Sequence, residues 1–552
     1  MTTPAILFEP DGYVVTGPGI LGRQSAGAGF LRAAVQGRAG QPVWAYTARR
    51  RSAEIFGDLV RQIDPAAQIG WVQPQRFDQM RERGLLYTPG PGLDDAARLR
   101  LRAGIDAYAI CGLTHTIASS RAMAEITGLL TAPIAPWDAL ICTSRVARDT
   151  VVGLLAEQAD YLAWRLKAPI APALPLLPVI PLGVHTEDFA FTPSDRIVAR
   201  HALALAEDEI AVLFCGRLAP ASKAHPYGMW RGLQAVAERT GRRIAFVQAG
   251  QFSNPETEAM YRQSAAWICP DVRQVFVDGQ DSAVYRLAWS AADIFLSLAD
   301  SVQETFGLTP VEAMAAGLPA VVSDWDGYKD TVRDGLDGFR IPTWSPGPGE
   351  AGAEMARDYE TDATTYDFYM SRLSTTVSVD FQILTDRLSE LVCRPDLRRR
   401  MGESGQRRAR EVFDWRGVYG QYQALWAQQT ALRQARVPDG PAPTASPSRP
   451  DPFASFATYP THHITPATRV APGPDPGVGW HDRLASGLFG LWRTPEALLA
   501  ATLAHLDQGE TDVGDLARAT RCEPSMMIVI VGRLAKMGLL RLAPPATSPP
   551  AG

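Results

Sequence analysis

Two glutamates stand eight residues apart in Glu304-Thr-Phe306-Gly307-Leu308-Thr309-Pro310-Val-Glu312, which continues as Ala-Met-Ala-Ala-Gly317. Pro310 suits the first turn of a helix, where its missing N–H costs nothing. Thr309 is then expected to cap that helix, and Glu312 to fall in its first turn. The amides of Gly307, Leu308 and Thr309 would point at an anion, helped by the helix dipole. A carboxylate on each side of a bound phosphate can accept hydrogen bonds from sugar hydroxyls. Read alone, the two glutamates also suit an ordinary helix-capping pair.

A second group is cationic. Arg217 and Lys223 follow the apolar run Ile210 to Cys215 and Gly216. At the exit of a buried strand they can set a guanidinium fork and a point charge over one diphosphate. Away from such an exit they would be solvated surface cations. His115 follows another apolar run, Tyr108 to Cys111, and a lone histidine is more often structural. A glycine-rich loop, Gly17 to Gly29, lies between the first strand and the first helix and contains Gly22-Arg23. It is not a phosphate loop of the GxxxxGK[ST] kind. His225 is close enough to Lys223 to line the same place. His462 and His463 have no third ligand nearby, so no metal is expected there.

The elements that must hold these residues read as alternating strands and helices. Strands are expected at Ala5 to Phe8, Val43 to Tyr46, Ile69 to Val72, Tyr108 to Cys111 and Ala139 to Thr143. A second set is expected at Ile210 to Cys215, Ile244 to Val247, Val272 to Phe276, Ile294 to Ser297 and Ala320 to Ser323. Continuous apolar strands separated by helices imply parallel sheets covered on both faces, with ligands beyond the carboxyl ends of the strands. The expected fold class is α/β, with two Rossmann-like domains facing across a cleft and a small, mainly helical third domain. The expected boundaries are 1–178, 179–432 with a helix returning to the first domain, a Pro-rich linker 433–480, a module 481–543 and a tail 544–552.

The linker expectation rests on 11 prolines between 436 and 480. Phe453, Phe456 and Tyr459 interrupt it and suggest a piece that docks on a folded surface. The segment 344–376 carries Tyr359, Tyr366, Phe368 and Tyr369, which read as local packing. Trp325 reads equally as sugar-site wall or core.

These separated motifs resemble the retaining glycosyltransferases of family 4, with the GT-B fold. The resemblance rests on Glu304 and Glu312, Cys215-Gly216-Arg217-Leu218 with Lys223, Ile180 to Val184, Gly335 to Phe339 and Asp414-Trp415. It covers roughly residues 1 to 430. It implies transfer of a hexosyl group from a nucleotide-diphospho-sugar to a hydroxyl acceptor, which is a glycan, a lipid-linked molecule or a protein. It implies that Arg217 and Lys223 grip the diphosphate and stabilise the departing phosphate. Glu304 would hold a donor-sugar hydroxyl, Glu312 the ribose, and His115 the donor sugar or reaction centre. Gly22, Gly216, Phe306, Gly307, Leu308 and Thr309 would complete the donor site, and Arg23 would meet the acceptor. No cofactor or metal is implied, because the cations and the helix start do that electrostatic work. Gly22-Arg23 departs from the Gly-Gly common in relatives, and Asp330 stands where many place a glutamate.

Lys plus Arg total 54 and Asp plus Glu total 59, a formal charge of −5, which argues against coating nucleic acid or an anionic membrane. The six cysteines form no CxxC pair and read as buried, reduced thiols. No secretory signal and no membrane span are expected, so the expected location is cytoplasmic, with peripheral membrane contact left open. Residues 494–541 resemble a winged-helix module. Between 481 and 541 seven positive and seven negative side chains cancel, a poor footprint for DNA. The stretch Ser525 to Leu534 is apolar nearly all round and suggests burial on both sides. A protein partner or self-association through 481–543 is therefore expected, and no nucleic acid. The alternative is a non-catalytic GT-B scaffold or regulator working through that module.

Overall fold

The computed structural model describes residues 3–14, 22–220, 223–279, 281–437, 440–474, 479–485, 487–488 and 495–545. The chain forms two compact units, Met1–Ser446 and Pro447–Gly552.

The first unit holds two six-stranded parallel sheets. The strands of one are β1 (Ala5–Leu7), β2 (Val43–Tyr46), β3 (Ile69–Val72), β4 (Leu85–Tyr87), β5 (Ala109–Leu113) and β6 (Ala139–Ile141), in the order β3-β2-β1-β4-β5-β6. Those of the other are β7 (Ile210–Cys215), β8 (Ile244–Gly250), β9 (Arg273–Asp278), β10 (Ile294–Ser297), β11 (Ala320–Ser323) and β12 (Gly338–Ile341), in the order β12-β11-β10-β7-β8-β9. Each is the doubly wound order, and the strand order reverses between β1 and β4 and between β7 and β10. Ligands of such sheets sit outside those switch points. Strands β5, β10 and β11 are buried along their whole length, as expected for sheets covered on both faces.

Residues 22 onward are helical rather than loop, because the first helix is Gly22–Gln36. The part of the glycine-rich loop at Gly17 and Gly19 lies outside the described residues.

The chain crosses between the two sheets twice, side by side. Val184 donates its N–H to Phe413 O at 2.8 Å, and Trp415 donates to Val184 O at 3.1 Å. Asp414 then caps helix Trp415–Gln434 through the Arg416 amide. This helix returns to the first domain. Its Trp415, Tyr422 and Trp426 join Phe30 and Tyr87 in one core, and Gln429 Nε2 donates to Ile110 O and Trp137 O, each at 2.9 Å. Both donors of this buried amide are satisfied and fix the helix on the sheet, while its Oε1 is buried with no partner among the described residues.

An insertion follows β12. The short pair β13 (Thr343–Trp344) and β14 (Ser378–Val379) closes its base, and helices Gly352–Glu360 and Tyr366–Ser374 form its body. Tyr359 stacks on Tyr369 with ring centroids 4.7 Å apart and lies 6.0 Å from Tyr366, so these three pack locally, while Phe368 is 60% exposed.

In the second unit β15 (Arg469–Pro472) pairs antiparallel with both β16 (Thr511–Asp512) and β17 (Leu540–Ala543). Helices Glu496–Leu506, Val513–Ala519 and Pro524–Lys536 accompany the sheet, with the short helices Pro452–Ser455 and Trp480–Ala485 before them. Its central strand comes from the stretch read as linker, so the folded unit begins before residue 481. Helix Pro524–Lys536 buries one stripe, Met527, Ile530, Val531 and Leu534, while Met526 and Val529 are exposed. It is amphipathic, not buried on both sides. Phe453, Phe456 and Tyr459 are 77%, 51% and 80% exposed, so they do not dock on their own unit. Four of the six cysteines are buried, while Cys393 is exposed and Cys522 half-buried. Among the described residues no helix is long and apolar enough to cross a membrane.

Candidate functional site

The switch point of the second sheet gathers the charged residues. Strand β7 runs out into Gly216, whose φ of +153° lies in the region that favours glycine. A Cβ there would lie 2.7 Å from Lys223 Cδ. The bare glycine therefore lets the Lys223 stem fold back over the strand end. Lys223 Nζ donates to Glu304 Oε2 at 3.0 Å, joining the exit of β7 to the loop after the neighbouring β10. Burial pushes Glu304 up, but the Lys223 ammonium and its hydrogen bond outweigh this and hold the carboxyl below its usual range. Burial likewise works against the charge on Lys223, and Glu304 overcomes it, so the ammonium is held above its usual range.

The other Glu304 oxygen is also engaged. Gly307 N donates to Oε1 at 3.0 Å. The amide expected to face an anion is thus bonded to the chain's own carboxylate. Helix Leu308–Ala315 starts two residues earlier than expected, with Gly307 at φ +86° in the capping place. Thr309 is consequently the second helical residue, not the cap, and Glu312 falls in the second turn. Thr309 Oγ1 and Glu312 Oε2 are both buried with no hydrogen-bond partner among the described residues. Burial raises the Glu312 carboxyl to about 7, against a partial offset from Lys223. Buried polar atoms of this kind are rare unless a ligand or water completes them.

Asp300 was not singled out in the sequence and is structurally central. It is 7% exposed. Its Oδ2 accepts from His225 N at 2.9 Å, and its own N–H donates to Lys223 O at 3.4 Å. It therefore laces the β10 exit to the loop that carries Lys223. Burial raises its carboxyl to about 7. His225 caps helix Pro226–Thr240 by accepting from Tyr227 N, a structural role.

Arg217 is exposed beside this cluster, within the fields of Asp367 and Glu304. Phe306 departs from expectation. Its ring is 1% exposed and packs at 6.0 Å from Phe413 in the core shared with the first domain, so a ligand can meet only its backbone. Leu308 packs against the same core. Trp325 donates its indole N–H to Ser301 O at 3.2 Å and leans on the second core.

The first sheet presents its carboxyl edge to the same loop. His115, half-buried, follows β5 and Thr114. The Thr114 hydroxyl lies 3.4 Å from that of Thr143, and Thr143 Oγ1 donates to Thr305 O at 3.5 Å. Asp330 accepts from Arg145 N at 2.6 Å and from Arg145 Nε at 2.7 Å, at the start of helix Arg145–Leu166. Its shorter carboxylate is thus a tie between the two domains. Gly22 and Arg23 are the first two residues of helix Gly22–Gln36.

A further carboxylate, Asp326, lies among these groups. It has φ +39°, and its Oδ1 accepts from Tyr328 N at 3.2 Å. Its Oδ2 is buried with no partner among the described residues. Burial, and then the nearby Glu304 charge, raise its carboxyl well above the usual range.

Residues 195–347 match the family model described as glycosyl transferases group 1, a span holding Arg217, Lys223, Glu304, Glu312 and Asp326. The chain is similar to D-inositol 3-phosphate glycosyltransferases. Identity is 30% over 172 residues to that of Geodermatophilus obscurus, covering 30% of this chain and 37% of the relative. It is 30% over 215 residues to that of Actinosynnema mirum, covering 38% and 46%. The matched part thus spans less than half of these curated relatives. Among solved structures, Anabaena HepE in complex with UDP aligns with a TM-score of 0.50 at 15% identity, over 77% of this chain and 100% of that one. The first unit has the GT-B fold.

Proposed function

We propose that this chain is a retaining glycosyltransferase, moving a hexosyl group from a nucleoside-diphosphate sugar to a hydroxyl acceptor. The observation that carries the reading is the Lys223–Glu304 pair across the exits of adjacent strands β7 and β10, inside the segment matching the group 1 family model. A diphosphate donor is supported by Arg217 beside this pair and by the UDP bound to Anabaena HepE. Glu312 and Thr309 each have a buried oxygen with no partner among the described residues; the Glu312 carboxyl suits ribose hydroxyls and the Thr309 hydroxyl a phosphate.

In the reaction the bond between the anomeric carbon and the leaving phosphate breaks. The acceptor oxygen forms the new bond on the same face, and its proton passes to a phosphate oxygen. Arg217 and Lys223 would stabilise the charge on that phosphate as it departs, the preorganised electrostatics that usually dominates catalysis. His115 would meet the donor sugar from the first domain. Arg23, early in the first helix, would serve the acceptor. The reaction is proposed to need no metal, so it should survive a chelator. The C-terminal unit is proposed as a winged-helix-like protein-contact module, with the exposed Met526 and Val529 on its last helix.

The test is donor hydrolysis and transfer with UDP- and GDP-sugars, with and without chelator, and the product anomer read by NMR. A retained anomer formed in the presence of chelator supports the proposal. An absence of donor binding and hydrolysis, with DNA binding that weakens steeply with salt, would replace it with the scaffold reading.

A further inference from the structure

The loop Trp325-Asp326-Gly327-Tyr328 is stacked on the loop Glu304 to Gly307. A Cβ at Gly327 would lie 2.4 Å from Phe306 Cα, and one at Gly307 would lie 2.1 Å from the Tyr328 ring. The Tyr328 hydroxyl is held 3.0 Å from Ser297 Oγ, and the Trp325 indole is tied to Ser301 O. Residue 326 therefore has a fixed backbone between two anchored aromatics.

Glu304 has each oxygen engaged, one by Lys223 and one by Gly307. Asp326 has one oxygen on the Tyr328 amide and one buried with no partner among the described residues. A buried carboxyl oxygen left without a partner is costly, and a ligand that supplies one removes the cost. A hydroxyl fits whether the carboxyl is ionised or protonated, because it both donates and accepts. A ligand carboxylate does not fit. It would enter beside Glu304 and Asp326, while Lys223 is already committed to Glu304 and Arg217 is assigned to the donor's diphosphate.

We propose that Asp326 is a specificity-determining residue of this site: its buried Oδ2 takes a hydroxyl of a neutral hexosyl donor, and with Glu304 it excludes donors carrying a carboxylate. This rests on the glycosyltransferase reading above and names the donor class. Asp326→Gly is the informative variant, because glycine accepts φ +39° without strain and removes only the carboxylate. Asp326→Asn keeps the shape and tolerates the same backbone.

The experiment is calorimetric titration of the full chain with UDP, GDP, UDP-glucose, GDP-mannose and UDP-glucuronate, with thermal melts of each variant. Wild type is expected to bind one nucleoside diphosphate and its neutral hexose, and to bind UDP-glucuronate at least about tenfold more weakly than UDP-glucose. In Asp326→Gly, affinity for the free nucleoside diphosphate stays within about twofold, while that for the hexose donor falls about tenfold or more. Equal binding of UDP-glucose and UDP-glucuronate by wild type overturns the proposal. So does a variant that melts normally and keeps its hexose affinity. If no nucleoside diphosphate binds wild type, the glycosyltransferase reading itself fails, a result distinct from either.

Discussion

Lys223 and Glu304, 81 positions apart, meet at 3.0 Å with side chains only 16% and 20% exposed. Neither belongs to a regular element. Each sits just beyond a strand of the second sheet, and the adjacency of β7 and β10 brings them together. A pair this far from water is costly to desolvate and does little for stability by itself. Its place at the switch point makes sense as electrostatics prepared for a charged ligand.

Removing either partner should separate chemistry from folding. Lys223→Met and Glu304→Gln are each expected to lower kcat by about a hundredfold or more. Each should also cost about 1–3 kcal/mol in stability, because a buried polar partner is left unpaired. The double variant should recover part of the stability and none of the turnover. Urea unfolding and donor-transfer assays read the two effects. Full transfer by either single variant sinks the assignment.

Asp300 should leave a mark on stability against pH. Burial raises its carboxyl from 3.8 to about 7 in the folded chain. Between those values the native state binds a proton that the unfolded state releases, so this group makes stability fall as pH rises across the window. Within that window the fall approaches about 1.4 kcal/mol for each pH unit. In Asp300→Asn an amide oxygen still accepts from His225 N, and the slope between about pH 4 and about pH 7 should flatten relative to wild type. Parallel thermal melts check this. Identical slopes would show that the group does not titrate there.

Much of the scaffold is legible in the chain, for a physical reason. Parallel strands buried on both faces must be continuous apolar runs, and β7, β10 and β11 have the bounds read for them. Strand β4 is only Leu-Leu-Tyr, and β12 carries Arg340 inside Gly-Phe-Arg-Ile, so neither stands out. Lys223 and Glu304 are visible through residue type and position. Asp300 is not, because its partner is a backbone amide 75 residues away. Asp326 reads as a turn residue in Ser-Asp-Trp-Asp-Gly; its left-handed backbone and unbonded oxygen appear only when the two loops stack. Thr309 reads as a cap by residue type, but Glu304 bonds the Gly307 amide and that glycine takes the place.

The tie between Arg145 and Asp330 spans the two domains, and Arg145 is 67% exposed. Exposed ion pairs contribute little to stability, so Asp330→Ala should cost about 1 kcal/mol or less. Its effect should appear in geometry instead. Spin labels on the helices covering each sheet should show a broader distribution of inter-domain distances in the variant. A loss of several kcal/mol, or an unchanged distribution, would remove Asp330 from this role.

The stacked loops make a graded prediction for three glycines. Gly317 has φ +77°, and a Cβ there would find only Gln406 Nε2, at 3.6 Å. Gly317→Ala therefore pays for the backbone alone, about 1 kcal/mol. Gly327 has φ −68°, but its Cβ would strike Phe306 Cα at 2.4 Å. Gly307 combines both penalties, φ +86° and the Tyr328 ring at 2.1 Å. Gly307→Ala should be the most destabilising of the three, by about 3 kcal/mol or more. It should also weaken nucleoside-diphosphate binding, because the same residue starts the helix and bonds Glu304. Unfolding curves and calorimetry on the three variants check the order. A Gly307→Ala protein as stable as Gly317→Ala would mean that the two loops are not held together as this geometry requires.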